Sequence, residues 1–250
     1  MEEVTCDQFL GGRLRIRQPR SGYRAGIDAV LLAAAMPTET GQSVLELGCG
    51  VGVASLCLGL RVPGLSLFGV EFQAAYAELA RRNAAENGID LAVTTADLVA
   101  LPADLRSRSF DHVVANPPYF LRAHGSAAPE PGREAALAEA TPLTLWVETA
   151  RRRLAPGGWL TLIQRAERLP ALLAAMDARL GSVELLPLAP RVGRPAKLII
   201  LRARKGARGT FRLHSPLILH EGSRHERDAD SYTPAVSAVL RQGAALPWPG

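Results

Sequence analysis

The chain has 250 residues, 48% of them hydrophobic, which suits one sizeable core, and its net charge is +5. No apolar run reaches the length of a membrane span, and the acidic start MEEVTCDQFLGG lacks the basic-then-apolar pattern of a secretory leader. Cys6, Cys49 and Cys57 are scattered and the five histidines show no paired spacing, so the sequence reads as cytoplasmic, with no disulfide framework, no metal and no membrane association.

In chain order, residues 4–17 predict a short hairpin around Leu10-Gly11-Gly12. PRSGYRAG is a loop, and AGIDAVLLAAAMP is a short apolar helix that Asp28 would cap or from which Asp28 would approach a ligand. SVLELG, residues 43–48, is a buried strand, and GCGVG turns into the helix VASLCLGLR. Further strands are expected at 65–71, 91–97, 110–117 and WLTLIQR. Helices are expected at 73–88, which Gly88 stops, at 141–158, and over ERLPALLAAMDARLG. Two late strands, SVELLPLAP and PAKLIILRARKG, should form a terminal hairpin. Alternating strands and helices predict an α/β fold: a doubly wound, mostly parallel sheet of about seven strands. One domain covers 1–250. An N-terminal hairpin and helix extension occupies 1–42, a core 43–205, and a basic C-terminal segment 206–250.

Glycines stand at 48, 50 and 52 between a strand and a helix, where they let the backbone turn tightly and approach a ligand. The spacing is G-x-G-x-G with Glu46 two residues ahead, rather than the dinucleotide G-x-G-x-x-G. Glu71 closes the second core strand, where a carboxylate can accept ribose hydroxyls, and Asp97 closes the third, where it can accept from an adenine amino group. The fourth strand stops at Asn116-Pro117-Pro118-Tyr119, because proline cannot donate to a sheet ladder. In open α/β sheets that edge is where ligands bind. The Asn116 side-chain oxygen and the Pro117 carbonyl can accept from the two hydrogens of an NH2 group, the prolines make the edge rigid, and Tyr119 can stack on a flat substrate. Trp146 and Trp159 read as core residues.

These motifs resemble the class I S-adenosylmethionine methyltransferases. E-x-G-x-G-x-G is similar to their first motif, and NPPY to the motif of those that modify planar or ring-attached nitrogens. The resemblance implies S-adenosylmethionine as cofactor, held by Glu46, Gly48, Cys49, Gly50, Gly52, Glu71, Asp97 and Asn116, with Asn116, Pro117, Pro118 and Tyr119 at the reacting end. NPPY alone leaves adenine N6, guanine N2 of ribosomal RNA and a release-factor glutamine open. The order of hairpin, GYRAGIDAVLLAAAMP, glycine loop, NPPYF, Arg133-Glu134-Ala135, RPAKLIILRARKG and SYTPAVSAVLR resembles the bacterial family that methylates adenine N6 beside the anticodon of valine tRNA. That resemblance implies a tRNA, or another structured RNA, as partner.

The charge distribution points the same way. Residues 13–24 carry Arg13, Arg15, Arg17, Arg20 and Arg24 and no acid; residues 191–227 carry ten basic groups against Glu221 and Glu226. Two basic flanks around a slightly acidic middle suggest a polyanion. Arg13, Arg15, Arg17, Arg133, Lys197 and Lys205 are the candidate RNA contacts, with Arg202 and Arg204 on the same late strand. Only two of the 29 basic residues are lysine, a bias that GC-rich coding would also produce.

Overall fold

A computed structural model of the chain describes residues 3–121, 138–139, 141–222 and 231–248. Arg133 and most of the segment after NPPY lie outside the described residues. The N-terminal hairpin pairs β1 (Val4–Phe9) with β2 (Leu14–Pro19), and α1 (Ile27–Ala34) follows. The core then runs β3 (Ser43–Leu47), α2 (Val53–Arg61), β4 (Ser66–Glu71), α3 (Ala74–Glu86), β5 (Leu91–Thr95), α4 (Ala103–Ser107) and β6 (Phe110–Ala115). Two-residue strands β7 (Phe120–Leu121) and β8 (Ala138–Glu139) pair with each other. Next come α5 (Leu143–Arg153), β9 (Leu154–Arg165), α6 (Leu169–Ala175), β10 (Leu180–Ala189), β11 (Leu198–Lys205), β12 (Arg212–Leu213), β13 (Leu217–Ile218) and α7 (Pro234–Ser237).

The main sheet has the order β12-β10-β11-β9-β6-β3-β4-β5, with β13 also on β10. Seven long strands form the expected sheet, and the two-residue β12 and β13 extend it to nine. β3, β4, β5, β6 and β9 are parallel, whereas β11 runs antiparallel to both β9 and β10, which is the expected terminal hairpin. The chain leaves β3 towards β4 and β5, then returns to the other side of β3 as β6. The crevice at that reversal, beyond the carboxyl ends of β3 and β6, is where doubly wound sheets bind ligands.

Four readings differ from the structure. The helix expected over ERLPALLAAMDARLG spans only Leu169–Ala175, and Leu180 and Gly181 already belong to β10. The helix expected over 141–158 ends at Arg153, and β9 begins at once at Leu154. Gly158 lies in that strand: a Cβ there would stand 2.8 Å from Asp111 O and 3.1 Å from Phe110 O, so only glycine lets β9 approach β6. The short helix α4 was not expected at all. Asp28 is not the α1 cap; Gly26 holds that position without a side-chain bond, and Asp28 sits in the first turn.

Apolar side chains fill both faces of the sheet. On one face α1 and α2 pack with Ile163, Leu186, Ile200 and the C-terminal Val236, Val239 and Leu246; on the other, Leu45, Phe110, Val147 and Leu162 form a second cluster. The N-terminal hairpin is fastened to α3 by Asn83, which is fully buried and bonds both the N–H and the C=O of Arg17.

Candidate functional site: an acidic pocket at the sheet switch point

A cavity of about 360 Å³ opens where the sheet order reverses. Its floor is the loop between β3 and α2, in which Gly48, Gly50 and Gly52 take φ of 65°, 54° and 88°. The close packing of Trp146 shows why position 48 is glycine: a Cβ there would meet Trp146 Cη2 at 2.6 Å. Trp146 is therefore a core residue, as expected, and also a wall of the cavity.

The three predicted carboxylates converge on this space. Glu46 is buried in β3, and its Oε2 accepts from the Ser55 N–H (3.0 Å) and hydroxyl (2.5 Å). Burial pushes the Glu46 carboxyl up to about 7, against the two Ser55 bonds and with a smaller push from Glu71. Glu71 accepts from the Gly50 N–H at 2.9 Å and from the Gln73 N–H at 2.9 Å, so it ties the glycine loop to the end of β4. Burial holds it above the ordinary carboxylate range, against those N–H donors. Asp97 accepts from the Val99 N–H through one oxygen. Among the described residues that line the cavity none is a lysine or arginine, and their carboxylates suit a cationic ligand. Cys49 is buried beside this loop, and burial first, then Glu46 and Glu71, keep it a thiol.

Asn116-Pro117-Pro118-Tyr119 forms the far wall. The Asn116 Oδ1 is buried and has no hydrogen-bond partner among the described residues. Buried acceptors are almost always satisfied, so an orphan on a residue that lines the cavity marks a candidate place for a donor. The Pro117 carbonyl accepts from Gln164 Nε2 at 3.2 Å and keeps a second lone pair. The Tyr119 hydroxyl donates to Asp28 Oδ2 at 2.5 Å. Burial, then the Asp28 charge, raises the Tyr119 phenol well above its ordinary value, so it stays a neutral donor.

A match to a known family model accounts for this combination. Residues 24–187 match the methyltransferase small domain. The chain belongs to that family. It is a class I S-adenosylmethionine-dependent methyltransferase, and the negative pocket, the glycine floor and the three strand-end carboxylates fit that cofactor. The chain is 31% identical over 201 residues to a tRNA1(Val) (adenine(37)-N6)-methyltransferase of Porphyromonas gingivalis, covering 74% of this chain and 77% of the relative. It is 28% identical over 239 residues to a protein of the same name from Dickeya chrysanthemi, covering 90% and 89%. A crystal structure from Agrobacterium tumefaciens, described as a predicted O-methyltransferase, superposes with a TM-score of 0.70 at 28% identity, covering 87% of this chain and 97% of that one.

Some residues at the pocket went unnoticed in the sequence. Gln164 is buried at the end of β9 and holds Pro117; a glutamine in the apolar run WLTLIQR was its signal. Tyr76 bonds both the N–H and the C=O of Tyr23 through its hydroxyl, which fixes the N-terminal loop as a third wall. The structure does not gather the candidate RNA contacts. Arg17 is tied to Glu86 at 2.8 Å, and Arg13 to the Gln242 carbonyl at 2.8 Å. Arg15 is exposed, with its backbone bonded to Asn87. Lys205 bonds the Leu154 carbonyl at the end of the sheet away from the pocket, Arg204 bonds Gly157 O, and Arg202 lies over the Trp248 ring at 3.5 Å. Lys197 is exposed at the pocket end of β11.

Proposed function

We propose that this enzyme methylates the exocyclic N6 of an adenosine in tRNA, the adenosine beside the anticodon of valine tRNA. The observation that carries the reading is that Asn116, which lines the cavity, has a buried Oδ1 with no partner among the described residues. An exocyclic amine is a poor nucleophile because its lone pair is shared with the ring. Accepting one N–H at Asn116 Oδ1 and the other at the Pro117 carbonyl draws the nitrogen towards the pyramidal form and stabilises the positive charge that develops on it. Gln164 fixes the orientation of the Pro117 carbonyl. Tyr119, anchored through its hydroxyl to Asp28, offers its ring to the turned-out base.

The cofactor supplies an electrophilic methyl group on a sulfonium. Glu46 and the Gly48–Gly52 loop, with Cys49, would hold its amino acid part. Both Ser55 bonds fall on Oε2 of Glu46, which leaves Oε1 for the cationic end. Glu71 would accept the ribose hydroxyls with its remaining lone pairs, and Asp97 the adenine amino group with its second oxygen. Transfer then needs in-line positioning more than acid–base power.

The identity of the substrate is supported by the relatives from P. gingivalis and D. chrysanthemi, which are named for this position of tRNA1(Val) and match over most of this chain. A direct test offers the purified enzyme methyl-labelled cofactor with unmodified valine tRNA, ribosomal RNA or peptide release factor. Label in the tRNA alone is expected. Label in release factor or in ribosomal RNA would overturn the substrate assignment.

A further inference from the structure

Among the described residues, most side chains of the two basic flanks are used within the molecule. Arg17 meets Glu86, Arg20 meets Glu3 and Arg24 meets Asp7. Arg202, Arg204 and Lys205 are spent on Trp248, Gly157 and Leu154. One basic stretch differs in both place and chemistry. The turn from β10 to β11, Arg191-Val192-Gly193-Arg194-Pro195-Ala196-Lys197, lies at the same edge of the sheet as NPPY.

Hydrogen bonds trace the connection. Gln164 Nε2 reaches the Pro117 carbonyl; two residues on, the Ala166 N–H reaches the Lys197 carbonyl; and the Lys197 N–H reaches the Leu188 carbonyl. Strands β6, β9 and β11 are neighbours, so β11 lies two strand spacings, about 10 Å, across the sheet from β6, and its start projects three residues beyond the level of Ala115. Hydrogen bonds brace the turn: the Arg194 N–H bonds the Arg191 carbonyl, and the buried Arg191 guanidinium bonds Ser231 and the Glu221 carbonyl. Arg194 and Lys197 are exposed, and Val192 between them and β10 is 77% exposed. Among the described residues, the acids nearest in sequence are Glu167, which is paired with Arg165 at 3.2 Å, and the exposed Glu221.

We infer that the β10–β11 turn is the RNA-docking rim of the enzyme, with Arg194 and Lys197 contacting phosphates of the strand that carries the target nucleotide. This rests on the RNA reading above. The pocket itself is negative and repels a phosphate backbone, so a polyanion must be held from outside it. A cationic turn outside the pocket, at the same end of the sheet, does this without placing positive charge beside the cofactor.

The test measures binding of a fluorescent unmodified valine tRNA transcript across a salt series. It compares wild type, Arg194→Ala/Lys197→Ala, and a control, Arg208→Ala/Arg212→Ala, away from the pocket edge. Cofactor affinity is measured for each. The rim variant should bind the transcript about tenfold more weakly, with the log–log salt slope reduced by about 2, and with cofactor affinity unchanged. The control should match wild type. If wild type binds the transcript and the rim variant binds it equally well with the same slope, the rim assignment is wrong and the RNA reading stands. If wild type binds no RNA but methylates release factor, both fail together.

Discussion

Replacing Asn116 by alanine should leave the stability of the free enzyme nearly unchanged while destroying its activity. The Asn116 Oδ1 is buried without a partner among the described residues, and an unsatisfied buried acceptor costs about 1–3 kcal/mol. Alanine removes that acceptor, but it also removes the side-chain hydrogen bond between Asn116 and Tyr119, worth about 0.5–1.5 kcal/mol, and leaves a small void, which costs about 1 kcal/mol for a methyl-sized gap. The terms nearly cancel, so the net change lies within about 1.5 kcal/mol of zero. For a chain of this length the Tm stays within about 3–6 °C of wild type. Turnover should fall by about 10²–10³-fold, the usual effect of removing one group that stabilises transition-state charge. Calorimetric unfolding of the free enzyme and single-turnover methyl transfer at saturating cofactor measure the two quantities separately. A variant that melts more than about 6 °C lower, or that keeps turnover within about threefold of wild type, would refute the reasoning. The first result would mean the amide is a packing element, and the second that the amine is held elsewhere.

Other consequences concern the pocket walls. Burial raises the Glu46 carboxyl to about 7, so the folded, ligand-free protein takes up a proton there that the unfolded chain releases near 4.5. The stability from that proton is full below about 4.5 and is lost as pH rises through 7. A cationic ligand favours ionised Glu46, so cofactor affinity should tighten from pH 6 to 8, and Glu46→Gln should flatten the profile; an unchanged slope would sink the assignment. Asp28→Asn exchanges the charged acceptor of the Tyr119 hydroxyl for a neutral one. It should lower kcat about tenfold with cofactor affinity unchanged, given about 1.5–3 kcal/mol for a charged hydrogen bond; unchanged kcat would show that the Tyr119 ring needs no anchor. Gly48→Ala puts a Cβ 2.6 Å from Trp146 Cη2 at φ 65°. It should cost about 2–4 kcal/mol and be visible as a lower Tm, whereas a melting point equal to that of wild type would mean the loop can move aside.

Local pattern carried much of this architecture. Leu10-Gly11-Gly12 marked the N-terminal turn, and the glycine run followed by VASLCLGLR marked the start of α2. Strand ends were legible because Glu71 and Asn116-Pro117-Pro118 interrupt apolar runs. Pairings distant in sequence were not. Asp28 resembles a helix cap, but its partner is Tyr119, 91 residues away. Counting arginines over 13–24 could not reveal that α3 presents Glu86 to Arg17, or that Trp248 covers Arg202. The end of α5 was misplaced because Ala155-Pro156-Gly157-Gly158 looks like a helix stop, whereas Gly158 serves a close strand contact with β6.

The central claim is that Asn116 and Pro117 present the N6 amine of an adenosine for methylation. It is tested most directly by identifying the product. Unmodified valine tRNA would be incubated with the enzyme and methyl-labelled cofactor, digested to nucleosides and fragments, and read by mass spectrometry. N6-methyladenosine confined to the anticodon-loop fragment, and absent with Asn116→Ala, is the expected result. N2-methylguanosine, or a methyl group on a ring nitrogen of adenine, would contradict it.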